Sequence, residues 1–174
     1  MLKPTPPQEV VHRIISPNGF YPNNAKYPLL IYKQLCAFNT IKNEVIQAFL
    51  KSNRWSESWV DGIYDFHHYH SNTHETLVII AGCCEVQIGG EQGQSYMVNQ
   101  GDVMILPAGV AHKSLQASPD FKCIGAYPLA VGCDMHYGKA EDHPQVDENI
   151  KKVGLPPSDP IFGKNGLLFD YWSI

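Results

Sequence analysis

The sequence predicts an all-β fold, a double-sheet barrel with an N-terminal arm and one or two short helices outside it. From Trp59 to Tyr127, short apolar stretches recur between Gly, Asn and Pro breaks, the pattern of strands that close on themselves. The first 35 residues are punctuated by Pro17, Pro22 and Pro28, which suits an arm or an edge strand better than a helix. The chain carries no internal repeat and no low-complexity tract.

The elements follow in order. Asn39 or Thr40 is placed to cap a helix from about Ile41 to Asn53. Ile41, Val45, Ala48 and Phe49, with Ile46 alongside, recur there at helical spacing and predict one face laid on a sheet. The barrel core is expected over about 59–128, with the arm and helix before it at 1–55. The extension at 132–174 reads as loop-like and polar until Gly166–Trp172, a last strand or docking segment. At 174 residues, one domain with a sizeable core is the simplest organisation.

Hydrophobic residues at 44% and charged residues at 17% are ordinary for a folded protein. A net charge of -4 offers no footprint for nucleic acid or an anionic membrane. The longest apolar run, Thr76–Cys84, is too short to span a bilayer, and the start of the chain lacks the apolar stretch of a signal peptide. Cys36, Cys83, Cys84, Cys123 and Cys133 form an odd set without CxxC spacing, which reads as reduced thiols and a cytoplasmic location.

The chemistry concentrates between Gly62 and Gly82. His68, His70, His74 and Glu75 fall within eight residues, flanked by strand-like sequence. Further on, Gly101–Leu106 leads through a Pro107–Gly109 turn to His112. Imidazole and carboxylate together suit one divalent transition metal such as Fe, Mn, Ni, Co, Cu or Zn. Residues two apart on a strand look the same way, so His68 and His70 point together, and Tyr64 and Phe66 continue that face. The turn at 71–73 brings Glu75 back beside them, with Leu77 and Ile79 following it. His112 arrives from another strand, with Ser114 and Gln116 on its side. His67, offset by one, faces away from the metal. His74 is an alternative ligand to Glu75; His74-Glu75 is not a metalloprotease helix motif, because no histidine follows Glu75 at the required spacing. His12, His136 and His143 sit among loop-like or terminal residues and read as solvated. Cys84 reads as a small core residue, and Phe121, Cys123, Gly125 and Tyr127 either border the cavity or pack the barrel.

These residues resemble the two-part signature of the cupin superfamily. Gly62, His68, His70, Glu75 and Gly82 match its first half, and Gly101, Pro107, Gly109 and His112 match its second, with Gln116 where the family usually has Asn. Pro22–Tyr32, Gly125–Pro128 and Leu155–Gly166 are similar to the small bacterial YjlB-like cupins, so the resemblance covers nearly the whole chain. It implies a double-stranded β-helix (jelly-roll) barrel and a metal held by His68, His70, Glu75 and His112, with Glu75 preferred to His74 because it keeps the family spacing to Gly82.

Fold does not dictate function. The leading expectation is a metal-dependent enzyme acting on a small organic molecule, with oxygenation of the dioxygenase kind ahead of isomerase or lyase chemistry. Glu75 could double as a catalytic base. The alternative is a non-catalytic module that binds a metal or metabolite and signals through another protein. Exposed strand edges beside the arm predict a homodimer. Tyr64, Phe66, Leu77, Ile79, Ser114 and Gln116 are the expected substrate-pocket residues. They predict a largely apolar ligand without phosphate, since no Lys or Arg reads inward.

Overall fold

The structure is a computed structural model that describes residues 2–35, 38 and 40–173. In chain order the elements are β1 (Glu9–Ile15), β2 (Asn24–Lys33), α1 (Asn43–Ser52), β3 (Trp55–Asp61), β4 (Glu75–Ala81) and β5 (Cys83–Ile88). They continue with β6 (Gln94–Asn99), β7 (Val103–Leu106), β8 (His112–Ala117), β9 (Lys122–Pro128), α2 (Gln145–Lys152) and α3 (Leu168–Trp172). Six strands form one sheet in the order β1-β2-β7-β4-β9-β3, and three form a second in the order β6-β5-β8. All pairings are antiparallel.

A buried cluster between the sheets fills the barrel, with Leu29, Ile31, Leu77, Ile79 and Met104 from the large sheet meeting Cys84, Val86, Ile88 and Val98 from the small one. The large sheet is also covered on its other face. There Leu30, Tyr32, Val78 and Ile105 pack with Ile46 and Leu50 of α1 and Leu168 and Trp172 of α3. Burial on both faces explains the unbroken apolar run of β4, where a half-exposed strand would alternate.

Several expectations are corrected here. The Pro-rich segment is more than an arm: β1 is an edge strand, but β2 lies inside the sheet between β1 and β7. Pro28 is tolerated because it falls in the stretch where the β1–β2 register shifts and where no β7 partner reaches, so no ladder hydrogen bond is lost. Helix α1 starts after Lys42 without a side-chain cap. The capping role expected of Thr40 is not taken, and Asn39 lies outside the described residues. The buried positions of α1 are Ile46 and Leu50, whereas Val45 is exposed and Ala48 faces solvent as well. The polar extension contains α2, and its end is the short helix α3 rather than a strand.

That extension is tied down by buried groups. The Asp159 carboxylate accepts from Tyr32 Oη at 2.7 Å and from the backbone N–H groups of Ile161, Phe162 and Leu168 at 2.7, 2.9 and 2.9 Å. Trp172 donates its indole N–H to the Pro28 carbonyl at 2.9 Å and stacks on Tyr27 at 4.9 Å. Cys83, Cys84, Cys123 and Cys133 are free thiols; Cys36 lies outside the described residues. Among the described residues no helix is long and apolar enough to cross a membrane.

Candidate metal centre

The loop between β3 and β4 is pinned to β8 through its histidines. His68 N–H donates to the His112 carbonyl at 3.2 Å, and His112 N–H donates back to the His68 carbonyl at 3.0 Å. Gly109 N–H donates to the His70 carbonyl at 2.8 Å. Gly109 has φ +90°, and a Cβ there would meet the Asn23 carbonyl at 2.5 Å. Only glycine lets the Pro107–Gly109 turn pass beneath the histidine loop.

His68, His70 and His112 are 5%, 4% and 2% exposed and Glu75 is 2% exposed, and all four line one cavity of about 300 Å³. Each histidine approaches a carbonyl oxygen through Nδ1: His68 to Phe66 at 3.2 Å, His112 to Val110 at 3.1 Å, and His70 to Asp134. A carbonyl only accepts, so Nδ1 carries the hydrogen and Nε2 is left with a lone pair. The Oε2 of Glu75 stands 3.3 Å from Nε2 of both His70 and His112, yet it makes no hydrogen bond.

A buried carboxylate facing bare imidazole lone pairs needs a cation between them. Without an ion, the cation is a proton. Burial would lower the His70 pKa, but the Glu75 carboxylate outweighs it and pushes it up to about 11. Burial would raise that of Glu75, but His70 and His112 hold it below the ordinary carboxylate range. Burial and the neighbouring His112 push His68 down to about 3, so it stays neutral and available as a donor. Among the described residues no three His, Cys, Asp or Glu side chains converge as a ready-made metal shell. The donor chemistry nevertheless fits a first-row divalent ion: three Nε2 atoms and one carboxylate, whose Oε2 is buried without a hydrogen-bond partner.

His74 belongs elsewhere. It is 1% exposed; its Nδ1 accepts from Ala108 N–H at 2.9 Å and its Nε2 donates to the Gly154 carbonyl at 2.9 Å. Both nitrogens are spent on backbone, which removes it from the ligand candidates. His67 turns to the outer side, 3.2 Å from Gln87 Oε1. His136 is not simply solvated, since its ring nitrogens approach Asp134 at 3.1 Å and Asp142 at 3.5 Å. His143 pairs with Asp147 at 2.7 Å, and His12 packs on the Tyr171 ring.

Of the expected pocket residues, Tyr64 and Leu77 line the cavity and the other four do not. Residues 62–67 lie outside the strands, so alternation fails there and Phe66 stacks over Tyr64 at 4.8 Å, facing a separate surface depression. Ile79 shares the face of Leu77 but lies deeper, in the barrel core. Ser114 is spent against Cys84 Sγ at 3.2 Å. Gln116 is turned outward by a bulge: β5–β8 pairing runs Val86↔Ser114, then Glu85↔Gln116. The extra residue, Leu115, reverses the faces beyond it.

The sequence reading missed part of the wall. Trp59, Asp61, Ile63 and Met135 line the cavity, and Tyr127 does so as well, where either bordering or packing had been open. The period-2 pattern of β9 pointed to Tyr127; nothing in the pattern of the extension pointed to Met135.

The family described as Cupin domain matches residues 61–122, the stretch that holds all four cavity-facing ligand candidates. The chain is 38% identical over 156 residues to the Bacillus subtilis (strain 168) protein "Uncharacterized protein YjlB", covering 89% of this chain and 92% of that one. Among solved structures, it is similar to the DMSP lyase DddQ of Ruegeria pomeroyi DSS-3, with 20% identity, a TM-score of 0.38, and 46% and 41% of the two chains covered. It is also similar to the WlaRB TDP-quinovose 3,4-ketoisomerase of Campylobacter jejuni, with 13% identity, a TM-score of 0.41, and 55% and 75% covered. The chain belongs to the YjlB-like group of the cupin family.

Proposed function

We propose that this cupin is a metal-dependent enzyme that acts on a small organic molecule through one of its oxygens, with oxygenation ahead of isomerase or lyase chemistry. The supporting observation is the commitment of three Nδ1 atoms to carbonyls, which leaves three Nε2 atoms and the Glu75 carboxylate facing one cavity. His68, His70, Glu75 and His112 would hold the ion. When bound, a divalent ion supplies Lewis acidity and a place to template substrate, and a redox-active one adds oxygen chemistry.

The remaining wall selects the ligand. Trp59, Val60, Ile63, Leu77 and Met135 give it an apolar part, with Tyr64 beside them. Among the described residues no Lys or Arg lines the cavity, so a phosphate would find no cationic clamp. Small phenolic, keto or carboxylate compounds fit this chemistry best. Anaerobic purification with elemental analysis, followed by oxygen-consumption assays over catechols, thiols, diketones and flavonols, tests the proposal. Oxygen uptake that requires both metal and one of these compounds supports it; metal-loaded protein inert towards all of them removes the oxygenase reading.

A further inference from the structure

We propose that Tyr127 is a substrate-contacting hydrogen-bond donor of this site, aimed by Trp59 at the oxygen of a molecule seated beside His70. The inference rests on the metal-site reading above and adds a residue to it. Tyr127 lies on β9, is 6% exposed, lines the cavity, and sets its ring edge-on to His70 at 5.5 Å. Its hydroxyl oxygen accepts the indole N–H of Trp59 at 3.0 Å. An indole N–H only donates, so the phenolic hydrogen must point elsewhere. The Cys133 thiol interacts electrostatically with both that hydroxyl and the His70 ring, and sulfur is a weak acceptor that an incoming oxygen displaces.

The aiming is built into the sheet. Trp59 on β3 pairs with Gly125 on β9, and a Cβ at Gly125 would collide with the indole ring. The missing side chain gives the indole its place against the sheet, from which Nε1 reaches the hydroxyl two residues further along β9. Trp59 also lines the cavity, so donor and aiming group face the same space as the three histidines. A hydroxyl held in this way is oriented before the ligand arrives, which lowers the ordering cost of binding.

The test uses Tyr127→Phe and Trp59→Phe in the metal-loaded full chain, with 4-nitrocatechol, a chromophoric oxygen chelator, as probe. Metal content by elemental analysis should equal that of the unmodified protein in both variants. Probe affinity should fall about tenfold in Tyr127→Phe, the loss of one hydrogen bond to a partly charged oxygen, and by a smaller factor in Trp59→Phe. The absorption maximum of the bound probe should also shift in Tyr127→Phe, a signature that a purely packing role would not move. Unchanged affinity and spectrum in Tyr127→Phe, with metal retained, overturn the inference alone. A weakened Tyr127→Phe beside an unaffected Trp59→Phe keeps the donor and overturns its aiming. Failure of the unmodified protein to take up metal overturns the metal reading and this inference with it.

Discussion

Asp134 presents its main-chain carbonyl to Nδ1 of His70, so a residue of the C-terminal extension fixes the tautomer of a histidine in the barrel. The contact is held by a zipper between the two segments. The Asp134 carboxylate accepts from Ser71 N–H at 2.6 Å and from the Ser71 hydroxyl. Asn72 bonds the Gly132 carbonyl and Asp134 N–H at 2.9 and 3.1 Å. Tyr69 and His136 exchange backbone hydrogen bonds at 3.0 Å.

Asp134→Ala keeps the main-chain carbonyl but removes the side-chain anchors on Ser71 that hold it in place, and should therefore weaken metal binding without removing a ligand. Outer hydrogen-bond partners of ligating histidines are typically worth about 10–100-fold in affinity. Competition against a chromogenic chelator measures this, with far-UV circular dichroism to confirm the fold. Wild-type affinity in the folded variant would show that the Asp134 side chain is not what holds the carbonyl against His70.

His74 should make the protein acid-sensitive. Burial pushes its pKa down to about 4, against a partly opposing hydrogen bond to Gly154, so the unfolded state takes up its proton first. The stability from keeping this ring neutral is complete above the unfolded value of about 6.5 and is lost as pH falls towards 4. Linkage makes the loss between pH 7 and pH 5 about 2 kcal/mol. Urea unfolding of His74→Gln at the two pH values should show that much less decline than the unmodified protein; equal declines would remove His74 as the cause.

Asp159→Ala should be among the most destabilising single changes. It strands the Tyr32 hydroxyl and three backbone N–H groups, at about 1–3 kcal/mol for each donor left buried and unpaired. Chemical denaturation should show a loss of at least about 3 kcal/mol, beginning with undocking of α3. A loss below about 1 kcal/mol would mean that the tail docks through apolar contacts alone.

The cavity wall is lined by Asp61 and Glu75 and, among the described residues, by no Lys or Arg, which predicts selectivity against phosphate esters. Calorimetry on metal-loaded protein should find binding of oxygen-chelating phenols or diketones and little affinity for sugar phosphates. Submicromolar binding of a phosphate ester, with none of the chelators bound, would reverse this assignment.

Local spacing made much of this legible in the sequence. His68, His70, Glu75 and the Pro107–Gly109–His112 turn are set by strand period and turn geometry, and the structure gathers them in one cavity. Leu77 follows from the alternation of β4, whereas Tyr64 reaches the cavity from irregular chain. The failures arise where period 2 is interrupted. Phe66 lies in irregular chain, and Gln116 lies beyond a bulge whose extra residue no local pattern announces. His74 stays open as an alternative ligand in the sequence because the Ala108 and Gly154 backbone groups that occupy it come from distant segments. The pairing of Trp59 with Tyr127 and the docking of Asp134 on Ser71 are long-range contacts, and only the assembled sheets reveal them.

Metal content of purified variants tests the central claim most directly. His112→Ala removes one of the two imidazoles that stand 3.3 Å from Glu75, whereas His74→Gln alters a neighbouring histidine already spent on backbone. Elemental analysis should find about one divalent ion per chain in the unmodified protein and in His74→Gln, and a large loss in folded His112→Ala and His68→Ala. Full metal content in both of the latter, or its loss only in His74→Gln, would contradict a centre built from His68, His70, Glu75 and His112.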